Sequence, residues 1–196
     1  MANATITKCL IGEAQMNFAR VFEPESFNGS EPKYSVILSF SKDDEQLLNT
    51  IKAAIKECAE KAAAQNGGKL PKNFETPNIK DGDEDYEGEG FPGMFTIKAS
   101  SKFKPEVVKK EKVMGKTQLV PITDEDEFYS GCYGYAGVSF VYYKTQVKTG
   151  ITCCLNSLLK TRDGERFGGG KGSAQADFAG LLDDDDDEDD FDFTKL

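Results

Sequence analysis

The chain of 196 residues contains no histidine and no tryptophan. Without histidine there is no Ser-His-Asp or Cys-His catalytic arrangement, no histidine ligand for zinc, and no imidazole to move protons near neutral pH. An enzyme working through carboxylates and metal stays conceivable but gains no support. The chain also lacks any run of about 18 apolar residues, so no membrane-spanning helix is expected. Residues Met1 to Leu10 show no basic stretch leading into a long apolar one, so no signal peptide is expected. Cysteine is sparse: Cys9, Cys58, Cys132, Cys153 and Cys154, an odd number with no CxxC spacing. Free thiols in a reducing compartment are expected, rather than a disulfide framework. Cys153 and Cys154 are neighbours, so a strand would turn one inward and the other outward.

Two motif beginnings lead nowhere. Asp81-Gly-Asp-Glu-Asp85 starts like a calcium loop, but Tyr86 stands where the turn glycine belongs and Pro92 where the bidentate glutamate belongs. Gly170-Lys171 resembles the end of a phosphate-binding loop, but Glu165 replaces the first glycine and Gly172 the Ser or Thr. The acidic pairs have no defined metal-ligand spacing. Neither a metal nor another cofactor is expected.

The net charge of -10 argues at first against a polyanionic ligand. Its distribution reverses that. Residues Asp183 to Leu196 hold nine acids and one base, which leaves 25 acids and 23 bases in residues 1–182. The body is therefore close to neutral, with local clusters of lysine and arginine.

Hydrophobic periodicity places the elements. Residues 5–22 read as strand with a bend at Gly12, and Phe22 to Pro32 as a loop. Lys33 to Phe40 alternates, with Tyr34, Val36, Leu38 and Phe40 on one face. Ser41 is the expected helix cap, with Asp44 completing a capping box. Leu47, Leu48, Ile51, Ala54, Ile55, Cys58 and Ala62 then form one helical stripe that ends at Gly67-Gly68. Residues 69–92 are expected as a long loop. A strand follows over about 93–101, with Phe95, Ile97 and Ala99 inward and Thr96, Lys98 and Ser100 outward. Residues 102–128 suggest a basic loop or short hairpin. Tyr129 to Tyr143 and Ile151 to Leu159 are strands, with Thr149-Gly150 in the turn between them. Short strands with one helix suit a mainly β fold: an OB-fold-like Greek-key barrel with long insertions and a disordered acidic C-terminal tail. The expected organisation is a ligand-binding body over residues 1–167, a Gly-rich linker with a short amphipathic patch over 168–182, and the tail over 183–196.

Basic residues interleaved with aromatics are what a single nucleic-acid strand requires, because cations track phosphates and ring faces stack bases. The candidates are Phe22, Phe27, Lys33 and Tyr34; Lys98, Lys102 and Lys104, with Phe103 between the last two; Tyr129 and Tyr133, with Tyr135 nearby; and Lys160, Arg162 and Arg166. Glycines beside Tyr129 and Tyr133 allow close backbone approach. In the tail, Asp189, Asp190, Phe191, Asp192 and Phe193 combine acid with phenylalanine, and a pure solubiliser has no use for the aromatics. Such a segment can compete for a groove that takes phosphates and bases, and partners can capture it.

Several stretches, in order over about residues 5–180, then resemble a family of bacteriophage single-stranded DNA-binding proteins. They are Val21-Phe-Glu-Pro24, Glu31-Pro-Lys-Tyr-Ser-Val36, Lys80-Asp-Gly-Asp-Glu84, Ile97-Lys-Ala-Ser-Ser-Lys102, Tyr129-Ser-Gly-Cys-Tyr133, Gly150-Ile151 with Leu155-Asn156, and Lys160-Thr-Arg-Asp-Gly-Glu165. The resemblance implies an OB-type barrel, without catalysis, that coats single strands during phage replication and recombination in the bacterial host cytoplasm. It also implies replication or recombination proteins as partners of the tail. The chain departs from tails of this design at its end, where Thr194-Lys195-Leu196 follows Phe193. The sequence leaves other readings open: a recombination mediator that anneals strands, an acidic DNA mimic, and a homodimer as well as a monomer.

Overall fold

The computed structural model describes residues 5–26, 28–85 and 91–167. Its organising element is a long strand, β1 (Ile6–Glu25). The first part of β1 pairs antiparallel with β8 (Tyr133–Lys144), from Ile6↔Val141 to Gln15↔Tyr133. Its second part pairs antiparallel with β2 (Lys33–Ser41). The register breaks between Ile11 and Ala14, where the bend was expected. Gly12 is required there, because a Cβ on it would lie 2.3 Å from Cδ1 of Tyr135. A β1 that reaches Glu25 takes up Phe22 to Glu25, which the sequence reading assigns to a loop.

β2 pairs antiparallel with β5 (Met94–Ser101) over its whole length, and β9 (Thr149–Arg162) pairs antiparallel with β8. A parallel bridge, Ser100↔Cys154, joins β5 to β9. The order β1-β2-β5-β9-β8 and back to β1 is a closed five-stranded barrel of the OB type. Two of its outer neighbours are short strands inside the expected long loop. They are β3 (Phe74–Glu75), parallel to β9, and β4 (Ile79–Asp81), antiparallel to β5. A single turn of helix, α2 (Gly82–Asp85), follows β4. The other outer neighbours form a hairpin, β6 (Glu106–Val113) and β7 (Lys116–Pro121), with β6 parallel to β9.

The barrel interior is built from alternate positions, as the strand period demands. Ile11, Met16, Val36, Leu38, Phe40, Ile97, Val138, Phe140, Ile151 and Leu155 are all nearly inaccessible. The helix α1 (Glu45–Gln65) packs Leu47, Ile51, Ala54, Cys58 and Ala62 against β1 and β8. Its cap is Asp44, whose carboxylate accepts from Leu47 N–H at 2.9 Å. Ser41, the expected cap, is instead the last residue of β2, and its hydroxyl accepts from Asp43 N–H. At the other end Gly68 N–H donates to Ala63 O, as the Gly-Gly signal implies. Asn66 ties this end to the barrel through Tyr142 Oη at 3.0 Å.

Two side-chain expectations change. Thr96 is buried rather than outward-exposed, because β4 lies beside it with Lys80 in register. Thr149 and Gly150 belong to β9, and the β8–β9 turn is Thr145 to Lys148, closed by Thr145 N–H to Lys148 O. Cys153 is buried and Cys154 half-exposed, on opposite faces as adjacency predicts, and all five thiols are free. The proposed tail and linker lie outside the described residues.

Candidate nucleic-acid interface

With Val36, Leu38 and Phe40 turned inward, the intervening residues of β2 face out, and so do Lys98 and Ser100 of β5. The register sets Ile37 opposite Lys98 and Ser35 opposite Ser100. This outer face forms the floor of a groove of about 510 Å³. Ile37, Thr96, Lys98 and Ser100 line the floor. Pro77, Asn78 and Lys80 form one rim, on and before β4, and β9 around Thr152 forms the other. The floor is part apolar and part hydroxyl, with an exposed lysine at its centre, so it presents a surface for bases and a charge for phosphates. Among the described residues Lys98 has no carboxylate partner. Lys33, at the start of β2, likewise makes no ion pair there, and its charge reaches the Cys154 thiol, whose pKa burial raises.

Beyond the end of β5 the same line of chain continues through Lys102, Phe103 and Lys104. Lys102 pairs with Glu31, which holds that carboxyl below its ordinary range. Phe103 is 82% exposed, which is unusual for a large apolar ring. Lys104 stands over the half-buried Phe22 ring with its Nζ 5.8 Å from the centroid, and Phe22 meets Phe128 edge-on at 6.5 Å. Phe22 therefore packs against the body rather than standing free. Tyr34, half-buried, lies opposite Ser101 at this end of the sheet.

A second group of predicted residues sits at the joined ends of β8 and β9. Tyr129 lies between two cations, Lys160 Nζ at 5.1 Å and Arg166 Cζ at 4.3 Å from the ring centre. Its hydroxyl is 3.0 Å from Asp163 Oδ1 and 3.1 Å from Gly164 O. Burial is the first cause, and Asp163 the second, of the raised pKa of that phenol. Lys160 is only 12% exposed; it pairs with Asp163 at 2.7 Å and donates to Glu127 O. Arg166 donates to Asp126 O at 2.9 Å and to its carboxylate at 3.2 Å. Arg162 stacks on Tyr133, its Cζ 3.5 Å from the ring centre, and its Nε is 3.4 Å from Glu13. Gly131, with φ +112, lies under the return segment so closely that a Cβ would be 1.7 Å from Glu165 O. The group is a clasp: each of its three cations already has a carboxylate.

From Tyr133 a polar chain runs across β1 to β2. Gln15 Nε2 donates to Tyr133 Oη at 3.3 Å, and Asn17 Nδ2 to Gln15 Oε1 at 3.4 Å and to Ser39 Oγ at 2.8 Å. Gln15, Asn17 and Ser39 are nearly inaccessible.

The structure thus brings Lys98 to the groove, and Lys33, Lys102 and Lys104 to its continuation. It gathers Tyr129, Tyr133, Lys160, Arg162 and Arg166 in the clasp. Phe27 and the tail residues Asp189, Asp190, Phe191, Asp192 and Phe193 lie outside the described residues. Ile37, Lys80 and Thr152 are groove residues that sequence reasoning missed. Alternation from the core residues of β2 marks Ile37 as outward; Lys80 carries no local signal, because β4 exists only through its pairing with β5.

A family model for the single-stranded DNA-binding protein of Enterobacter phage Enc34 matches residues 7–192. Among solved structures, the chain is similar to the single-stranded DNA-binding protein from bacteriophage Enc34 in complex with ssDNA, at 26% identity and a TM-score of 0.62, covering 83% of this chain and 90% of that one. It is similar to a C-terminal truncation of that protein at 25% identity and a TM-score of 0.60, covering 82% and 88%. The Enc34 protein in a third structure gives 25% identity and a TM-score of 0.58, covering 88% and 90%. No curated protein matches the chain significantly.

Proposed function

The chain belongs to the family of the Enterobacter phage Enc34 single-stranded DNA-binding protein, and from that premise we propose that its groove on β2 and β5 takes a single DNA strand with little regard for sequence. The observation that carries the reading is Lys98, unpaired with any described carboxylate, at the centre of a groove floored by Ile37, Thr96 and Ser100. The relative solved with ssDNA supports it. Phosphates lie along Lys98, Lys33 and Lys104, which have no described carboxylate partner, and bases meet Ile37 in the floor and the exposed Phe103 ring beyond it. No base edge is read by a rigid donor and acceptor pair, so affinity comes from charge and stacking. The protein acts by holding and covering the strand, with no catalytic step, in phage DNA replication and recombination.

In this reading the clasp is structural. Its cations are spent on Asp126, Asp163, Glu13 and Glu127, so a phosphate gains little there. The acidic tail from Asp183 onward competes for the groove and offers Phe191 and Phe193 to replication or recombination proteins; its sequence is the support for this. No described helix is long and apolar enough to cross a membrane.

Fluorescence titration with oligo-dT tests the reading. Nanomolar to micromolar binding that weakens with salt is the expected result, with removal of residues 183–196 tightening it. No binding at low salt, with or without the tail, would sink it.

A further inference from the structure

The β6–β7 hairpin carries features that the barrel does not use. Its two-residue turn is Met114-Gly115, with φ of +50 and +79. That mirror-type turn favours Asn-Gly, because a side chain in the left-handed region meets its own backbone. A methionine stands there instead, and it is 99% exposed. Val113 next to it is 36% exposed, and Leu119, farther down the ribbon opposite Lys110, is 61% exposed. The Met114 side chain packs on none of the described residues, and the turn would be more stable without the methionine.

Charge on the hairpin is one-sided. Lys109 is held by Glu127 at 2.5 Å and lies near Glu111. Lys110, Lys112 and Lys116 have no acidic partner among the described residues. Lys110 stands opposite Leu119 and Lys112 opposite Thr117, so these four share one face of the ribbon, while Lys116, opposite Val113, borders the turn on the other face. Position completes the case. Both β5 and β6 run parallel to β9, at Ser100↔Cys154 and then Glu106↔Ser157 to Lys109↔Lys160. The ribbon therefore continues the line of the groove, through Lys102, Phe103 and Lys104, away from Lys98.

We infer that the hairpin is a second contact for the same DNA strand as it leaves the groove, with Lys110, Lys112 and Lys116 on phosphates and Met114 entering between two bases. The inference rests on the groove reading above. An apolar tip flanked by unpaired lysines fits a polyanion whose bases offer flat apolar faces, and apolar wedges are known to part base steps. The other occupant with complementary charge is the acidic tail of a chain of this protein, and the test separates the two.

The full-length protein is titrated with oligo-dT of about 10 and about 30 nucleotides, below and above the reach of one barrel. The triple variant Lys110→Gln, Lys112→Gln, Lys116→Gln should lose about 10-fold in affinity for the long strand, with the slope of log K against log salt shallower by about 2. Its affinity for the short strand should stay near wild type. Met114→Asn should raise the melting temperature yet abolish the fluorescence rise of a 2-aminopurine placed in the long strand. Wild-type behaviour of both variants on the long strand, with Lys98→Glu still weakening the short one, would overturn the hairpin contact and leave the groove standing. Tighter DNA binding by the triple variant would assign the hairpin to the acidic tail instead, and overturn it too. Failure of the wild type to bind either strand would overturn both.

Discussion

The groove on β2 and β5 and the clasp at the ends of β8 and β9 are made of the same materials, lysine or arginine beside aromatic rings. They differ in where the carboxylates are. In the groove, Lys98 faces outward and pairs with no described carboxylate, and beyond it Lys33, opposite Glu25 in the register, makes no ion pair among the described residues. In the clasp, Asp163 sits 2.7 Å from Lys160, Asp126 3.2 Å from Arg166, and Glu13 3.4 Å from Arg162. A cation that has a partner stabilises the fold; one that lacks a partner keeps its charge for a ligand. Composition cannot distinguish these cases, because two of the acids that settle the clasp, Glu13 and Asp126, come from β1 and from the loop before β8.

The comparison predicts opposite outcomes for matched substitutions. The largest effect belongs to the groove. Lys33→Glu with Lys98→Glu should weaken oligo-dT binding about 100-fold at low salt and leave the melting temperature nearly unchanged. Next comes the clasp. Tyr129→Ala removes the ring that Lys160 and Arg166 cover, and chemical denaturation should show a loss of about 2 kcal/mol. The DNA affinity of its folded fraction should stay within about threefold of wild type. A smaller effect is expected for Phe103→Ala. The ring is largely exposed in the free protein, so stability should barely move, while the loss of one stacked base weakens binding by about 1–2 kcal/mol.

The smallest effect is a pH dependence of stability. Asp163 is held below its ordinary pKa first by its hydrogen bond from Lys160 and then by that from Tyr129. A depressed folded pKa means the contribution is present above the unfolded carboxylate range and is lost as the pH falls through the folded value. The clasp should therefore loosen below about pH 4, by less than about 1 kcal/mol, since the carboxylate is largely exposed and screened. Asp163→Asn should remove that part of the acid dependence in thermal melts taken across pH.

Most of the barrel was legible because its signals are local. The period of Val36, Leu38 and Phe40, the stripe from Leu47 to Ala62, and the basic hairpin all announce themselves within a few residues. What escaped depends on distant pairing. β3 and β4 are strands only because β9 and β5 offer them edges, and closure rests on the Ser100↔Cys154 bridge. The cap moved from Ser41 to Asp44 because β2 extends its pairing to Met94 and claims Ser41. At the site, Lys98 was readable from the alternation of β5. The clasp was not, because the partners of Lys160, Arg162 and Arg166 include Glu127, Glu13 and Asp126.

The most direct test is one salt-dependent oligo-dT titration of three full-length proteins: wild type, Lys98→Glu, and Arg166→Gln. The account predicts that Lys98→Glu lowers affinity at least about 10-fold and makes the salt slope shallower, while Arg166→Gln, already neutralised by Asp126, changes both little. Equal losses from the two substitutions, or a larger loss from Arg166→Gln, would contradict it.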